Sequence, residues 1–537
     1  MARATENHKR IHLRTSHKIA LAVVGALSAL VSLFNPAATV DRGVPVFQYR
    51  LDLDVYRVGA QRVLDGLELY SGHFHIVADI KLPFTYPPIS ALLFTPLTAL
   101  PYTASSVLLT LATITLTWWL VAWTLHSAAR LDRHSAGWIA VGLAAVLIHL
   151  SPIHTSVTYG QINVLLMAMV FADAFVVPRR FRGLLTALAV SIKLTPAVFG
   201  LWFLLRKDWG SVIRMGMGTV GATALAWLIL PRDSVRYWTE TLRETGRIGG
   251  EEYALNQSLN GLLYRLRLRA RVTEGAGAGE GSSAGDGGGV GDGGGVGDQI
   301  GKALTTTNDA HGTFGAHLWL VLVILALIVV ALVMIRLLRA EAPIVALCVN
   351  ALFALLASPV SWSHHWCWAP IMLVAIGSYA FANQRNQRPQ KRLPVDSHVP
   401  AGHSTSTRST TNRVPAGHPT SRRSTTNRVP AGHPTSTRSA TGSAPAAQIP
   451  GSNSTGQTHV GDPRSDRALS GPRWMWIALL IAGFAAFALE PTTFVPYNDQ
   501  RELHWNLWQQ LVGNAYLWWA LVALVMLGIC ARPARSR

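Results

Sequence analysis

Ten runs of mostly apolar residues limit what this chain can fold into: 18–36, 103–125, 137–151, 161–177, 211–230, 316–338, 342–358, 365–383, 474–490 and 514–531. A helix crossing a hydrocarbon core about 30 Å thick needs roughly 20 such residues. Lipid offers the backbone no hydrogen-bond partner, so each crossing must satisfy itself as a helix. The expected class is therefore an all-α polytopic membrane protein. Composition agrees, with half of the residues apolar, 14% charged and a mean hydropathy of +0.27, against about 25% charged in soluble domains. Cys348, Cys367 and Cys530 lie far apart in largely apolar context, which excludes a disulfide scaffold. The net charge of +19 alone would suit nucleic acid or an anionic surface. The apolar half decides for the membrane, and no nucleic-acid partner is expected.

Lys and Arg set orientation, because short basic loops stay cytoplasmic. Alternation of the runs puts both termini and most basic loops inside, with 1–17 and 532–537 as cytoplasmic tails. The first run follows His8-Lys9-Arg10 and Lys18 without a small-residue cleavage site, and is read as a retained signal anchor. The segment 183–205 breaks the alternation, since Arg182 and Arg206 both fall inside. Two short helices meeting near Lys193-Leu194-Thr195-Pro196 resolve this, Pro196 being a helix breaker. By the same parity, 87–101 should be a short, non-crossing helix on the outer side. A bundle of about ten to twelve spans with broken or re-entrant helices and outer juxtamembrane helices is expected.

Three polar stretches fall outside, at 37–86, 231–315 and 491–513, and the second contains a Gly-rich insertion at 272–298. Its Gly289-Val290-Gly291-Asp292-Gly293-Gly294 matches a dinucleotide fingerprint only formally, lacking the strand and helix that give that motif its mechanism. Inside lies 384–473, with a 15-residue repeat (399–413, 414–428, 429–443) that opens each time on Val-Pro-Ala-Gly-His. It is a basic linker whose composition cannot bury a core. The expected catalytic core is 18–383, followed by C-terminal membrane helices at 474–531.

The polar groups capable of chemistry cluster on the outer side. In Asp52-Leu53-Asp54-Val55-Tyr56, Asp52 and Tyr56 share a helix face and Asp54 points elsewhere. An interfacial carboxylate can act as general base, or simply cap a helix. Tyr86, in Phe84-Thr85-Tyr86-Pro87-Pro88, either shapes a cleft or anchors the chain at the interface. Gln161 and Asn163 can bind sugar hydroxyls or hold helices together. Lys193 needs an anion, either a lipid phosphate or Asp173, or else snorkels to an interface. Asn256 and Gln257, in Asn256-Gln257-Ser258-Leu259-Asn260-Gly261, are hydroxyl binders or part of a turn. Ser361-Trp362-Ser363-His364-His365 offers imidazoles to a phosphate or a sugar, or forms an interfacial belt. Adjacent His do not chelate a metal well from a helix, so neither a metal nor a cofactor is expected.

A compartment without nucleotides leaves a membrane-embedded donor, and a lipid-linked phosphosugar suits these groups. In this order the motifs resemble the polyprenol-phosphate-mannose-dependent α-1,2-mannosyltransferases of actinobacteria, glycosyltransferase family eighty-seven of the GT-C superfamily. Gly66-Leu67-Glu68-Leu69-Tyr70 and Lys193-Leu194-Thr195-Pro196 complete the match. The resemblance implies a GT-C-like fold, with inverting transfer of mannose from polyprenyl-phosphate-mannose to the 2-hydroxyl of a mannosylated lipid or lipoglycan. The site would face outward from the plasma membrane, among membrane lipids. Asp52 would be the base, and Lys193 with His364 or His365 would receive the departing phosphate. An arabinofuranosyltransferase of the same superfamily and a lipid-linked glycan flippase are the alternatives.

Overall fold

The computed structural model describes residues 8–34, 49–72, 74–76, 81–244, 250–269, 296–381 and 468–532; of 296–313 only the backbone is described. One compact unit comprises 1–384 and 463–537. The second, 385–462, lies outside the described residues, as do the 15-residue repeats and nearly all of the Gly-rich insertion.

The described chain is helical apart from one two-residue antiparallel pairing, Phe74–His75 with Lys81–Leu82. The helices are α1 (Thr15–Leu33), α2 (Leu51–Leu64), α3 (Pro88–Thr98), α4 (Tyr102–Ala128), α5 (Arg133–Leu147), α6 (Ser151–Tyr159), α7 (Asn163–Phe175), α8 (Leu184–Ile192) and α9 (Gly200–Leu205). They continue as α10 (Trp209–Ile229), α11 (Pro231–Arg236), α12 (Leu259–Arg265), α13 (Val296–Arg339), α14 (Pro343–Ala357), α15 (Trp368–Phe381), α16 (Arg473–Leu489), α17 (Leu507–Gly513) and α18 (Ala515–Cys530).

Among the described residues, four helices are long and apolar enough to cross a membrane singly: α1, α4, α10 and the Phe314–Arg339 part of α13. The pairs α5–α6 and α17–α18, bent by 76° and 73°, bring the number to six. The chain is thus an all-α polytopic membrane protein. Four of the ten apolar runs fold as shorter helices, α7, α14, α15 and α16, of 13, 15, 14 and 17 residues. For α7, α14 and α15 the position in the bundle accounts for the composition, whereas α16 turns Trp474, Ile477 and Ile481 outward. Nearly every residue of α14 from Ile344 to Leu352 is buried, as expected of a helix that is apolar all round and packed on every side. By contrast α10 turns Met217, Val220 and Leu228 outward, the apolar surface a lipid-facing helix needs.

The breaks position the site. The run 137–151 does not continue straight: α5 ends at Leu147, Leu150 is extended (φ −70°, ψ 136°), and Pro152 starts α6 in its first turn, where proline is well tolerated. The two short helices expected at 183–205 are present as α8 and the Thr195–Leu205 segment, separated by an extended Lys193 and a 3-10 turn containing Pro196. The short helix expected at 87–101 is α3; the Arg57 guanidinium donates to Leu97 O in its last turn and to Leu100 O, just beyond it, at 2.9 Å.

Asp173 is not the partner of Lys193. Its carboxylate accepts from Gly183 N (2.8 and 2.9 Å), Thr186 N (2.9 Å) and Thr186 Oγ1 (2.7 Å), closing the N-terminus of α8, where orphan backbone donors need an acceptor. Gly183, at φ +100°, meets Ser211 O so closely that a Cβ there would lie 2.3 Å from it. Only glycine fits that position.

Candidate functional site

The cluster is built where α2 meets the α6–α7 break. Arg50 occupies the cap position of α2 without a side-chain cap bond, so Asp52 lies inside the first turn instead of capping it. Asp52 and Tyr56 share a face, while Asp54 is buried on another and accepts from Tyr49 OH at 3.2 Å. Gly160 (φ +69°) ends α6 against α2; a Cβ there would sit 2.6 Å from Arg50 Cβ. That contact lets the next residue, Gln161, reach the carboxylate.

Two tyrosines fix how Gln161 is turned. Tyr56 OH donates to Gln161 Oε1 at 3.1 Å, and Tyr86 OH lies 3.1 Å from Tyr56 OH and 3.5 Å from the same Oε1. With its oxygen engaged, the amide has its NH2 free to favour the ionised Asp52 carboxylate. The Tyr56 ring is itself held between Phe94, stacked at 4.6 Å, and Tyr86, edge-on at 5.3 Å. Burial pushes the Asp52 carboxyl up to about 6, against the opposing effects of the Gln161 hydrogen bond and the Lys193 charge. Desolvation disfavours the charged form, and donors and cations favour it. The result is a carboxylate that is ionised near neutrality yet basic enough to take a proton.

Opposite stands a cation held in the same way. Lys193 Nζ donates to Asn163 Oδ1 (3.1 Å), contacts His365 Nε2 (3.2 Å) and lies 5.4 Å above the Tyr86 ring. Asn163 is oriented by its other end, Nδ2 donating to His364 O at 3.1 Å. His365 Nδ1 accepts the Trp362 N–H at 3.2 Å, so the proton of a neutral ring is on Nε2. Nε2–H and the ammonium then converge donor to donor, an arrangement suited to an anionic oxygen. The two histidines differ: His365 is half-buried and faces Lys193, whereas His364 is buried, edge-on to Tyr159 at 5.8 Å.

A cleft opens beside this point. Asn163, Thr195, Ser358, Ser361 and His365 are among its polar lining, and Leu166, Met167, Val170, Phe199, Leu355 and Trp368 form apolar wall. Among the described residues no group of three or more His, Cys, Asp or Glu is arranged to hold a metal.

Of the residues singled out by sequence, Asp52, Tyr56, Tyr86, Gln161, Asn163, Lys193 and His365 come together. Gln161 and Asn163 face protein groups, holding the base and the cation. Asn256 and Gln257 do a different job from the hydroxyl binding expected of them. Asn256 is fully buried; it donates to Glu251 O (2.8 Å) and Pro359 O (3.1 Å) and accepts from Ser361 N (2.9 Å). Gln257 donates to Ala254 O and Gly513 O, both at 2.7 Å. Together they clamp the turn that carries Trp362 to His365, and the turn reading of their motif is the one observed. Tyr253 and Tyr497 face this turn's flank, and no pattern in the sequence marked them.

The family described as glycosyltransferase family 87 matches residues 84–359, just over half of the chain. A Mycolicibacterium smegmatis protein named polyprenol-phosphate-mannose-dependent alpha-(1-2)-phosphatidylinositol mannoside mannosyltransferase is 31% identical over 500 residues, covering 90% of this chain and 84% of its own. A Mycobacterium tuberculosis protein of the same name is 36% identical, covering 61% and 70%. A second M. smegmatis protein, named for phosphatidylinositol pentamannoside, is 29% identical, covering 60% and 68%. No solved structure matches the chain.

Proposed function

The chain belongs to glycosyltransferase family 87, and from that premise we propose that it transfers mannose from polyprenyl-phosphate-mannose to the 2-hydroxyl of a mannoside acceptor of the phosphatidylinositol mannoside class. Transfer takes place on the outer face of the plasma membrane, the side to which the basic-loop rule assigns the Asp52 segment. The observation that carries this reading is the pairing of one poised carboxylate with one anion-ready cationic point. Gln161 favours the ionised form of Asp52, and Lys193 with His365 is held by Asn163 and Trp362 N.

Asp52 takes the proton of the acceptor 2-hydroxyl as that oxygen forms its bond to the anomeric carbon of the donor mannose. The bond from that carbon to the phosphate oxygen breaks, and the phosphate leaves with the electron pair. Lys193 and His365 stabilise the charge that develops on it, the kind of pre-oriented assistance that contributes most in a water-poor site. Attack opposite the leaving group inverts the anomeric centre, so a β-linked donor gives an α-linked product. The apolar wall of the adjoining cleft suits the isoprenoid chain of the donor, whose phosphate then lies at the polar end.

Membranes carrying the chain are incubated with labelled polyprenyl-phosphate-mannose and a mannoside acceptor. Asp52→Asn abolishes transfer at wild-type expression, and Asp54→Asn retains it. Full activity in Asp52→Asn overturns the assignment of the base. Movement of unmodified lipid-linked sugar without a new glycosidic bond overturns the transferase reading.

A further inference from the structure

Beyond the reacting groups, a file of aromatic rings leads away from the Asp52 cluster. Tyr253 is edge-on to Trp362 (ring centroids 5.8 Å, 68°) and to Tyr497 (6.2 Å, 70°). Each ring comes from a different segment: Tyr253 from the clamp 250–258, Trp362 from the turn before Ser363–Cys367, and Tyr497 from the connection between α16 and α17. Trp362 stands three residues before His365 and gives its backbone N–H to that ring, so the file begins on the turn that carries His365.

We propose that Tyr497, Tyr253 and Trp362 form a binding subsite for the further sugar units of an oligomannoside acceptor, beyond the mannose whose hydroxyl reacts. This rests on the transferase reading above and adds to it the length of acceptor the protein grips. The chemistry is that of amphipathic rings. A pyranose turns C–H groups from one face and hydroxyls from its edge, and an aromatic face is electron-rich and attracts such polarised hydrogens. Tyr and Trp offer a large rigid surface at little cost in side-chain entropy. The neighbouring residues of the clamp, Ala254, Asn256 and Gln257, are buried, whereas Tyr253 and Trp362 are half-buried and Tyr497 is 37% exposed. Rings anchoring a helix at a membrane interface would have no reason to converge from three segments and pack edge to edge. An extended ligand laid across them would.

The test uses two acceptors with the same alkyl aglycone, a monomannoside and a tetramannoside, with the full chain in membranes. Tyr497→Ala is expected to raise KM for the tetramannoside about tenfold, equivalent to about 1.4 kcal/mol, with kcat unchanged. Its KM for the monomannoside should move less than twofold, and Tyr497→Phe should restore tetramannoside binding, because the ring and not the hydroxyl supplies the contact. An equal change for both acceptors, or no change for either, overturns the subsite while leaving the transferase reading intact. Wild-type protein that mannosylates neither acceptor removes the transferase reading instead. The subsite is then decided by saturation-transfer NMR with free mannotetraose, in which Tyr497→Ala must lose a contact that wild type shows.

Discussion

Gln161 should act on the reaction through Asp52, and the pH dependence of transfer separates that role from a direct contact with sugar. Its amide oxygen is engaged by Tyr56 OH and its NH2 is free to favour the ionised Asp52 carboxylate. Gln161→Leu removes a donor that favours the ionised carboxylate. The carboxyl starts from about 6, and losing such a donor moves it upward. A hydrogen bond to a charged group contributes about 1.5–3 kcal/mol, and one pKa unit corresponds to about 1.36 kcal/mol. The upper bound is therefore a rise of about two units. Asp52 is half-buried, so water replaces part of the lost bond, and a rise of about one unit is expected. A general base works only when ionised, so the acid limb of kcat/KM for the acceptor should move from near pH 6 to near pH 7. At pH 7 the ionised fraction then drops from about nine-tenths to about one half, giving roughly a twofold loss that disappears by pH 9. The assay is initial-rate transfer of labelled mannose in membranes between pH 5 and 9. A variant whose rate falls by the same factor at every pH, with its acid limb unmoved, refutes the reasoning and makes Gln161 a substrate contact.

Two further outcomes test the other half of the site and the scaffold. Lys193→Met removes the ammonium held by Asn163 Oδ1 and facing His365 Nε2; kcat should fall about 10²-fold, with acceptor KM changed far less, as steady-state kinetics would read. Asp173→Ala removes four hydrogen bonds at the start of α8. It should cost about 1–2 kcal/mol, seen as a lower midpoint of thermal unfolding in detergent, while the folded fraction keeps wild-type kcat.

What the sequence made legible and what it hid divide along a physical line. The halting of a helix at Lys193-Leu194-Thr195-Pro196, the short α3 behind Pro87-Pro88, and the shared face of Asp52 and Tyr56 with Asp54 turned away all follow from local chain geometry. They depend on residues a few positions apart and on the cost of proline within a helix. The direction in which a polar side chain points does not follow from such rules. Gln161 is oriented by Tyr56 across 105 residues, Asn163 by the carbonyl of His364 across 201, and Asn256 by Ser361 across 105. From local pattern each of these amides reads as a hydroxyl binder, because an amide looks the same whether its partner is ligand or protein. Asp173 was open to the same ambiguity: as a charge near a membrane lysine it reads as a counter-ion, and three donors at a glycine-led helix start claim it instead.

The same long-range bonds explain why the site lies at broken helices. An unbroken span satisfies its own backbone and presents side chains only along its flank. Breaks at 148–150, 160–162, 193–194 and 358–367 free backbone groups, among them the Trp362 N–H given to His365 Nδ1 and the His364 carbonyl that accepts from Asn163. Those groups fix the tautomer of one ring and the flip of one amide, which no flank-to-flank packing of intact helices would do. Polar parts at fixed orientation within an apolar bundle therefore require interrupted helices. Straightening any of the four would add backbone hydrogen bonds to the helix while releasing the groups that hold His365, Asn163 and Gln161 in place.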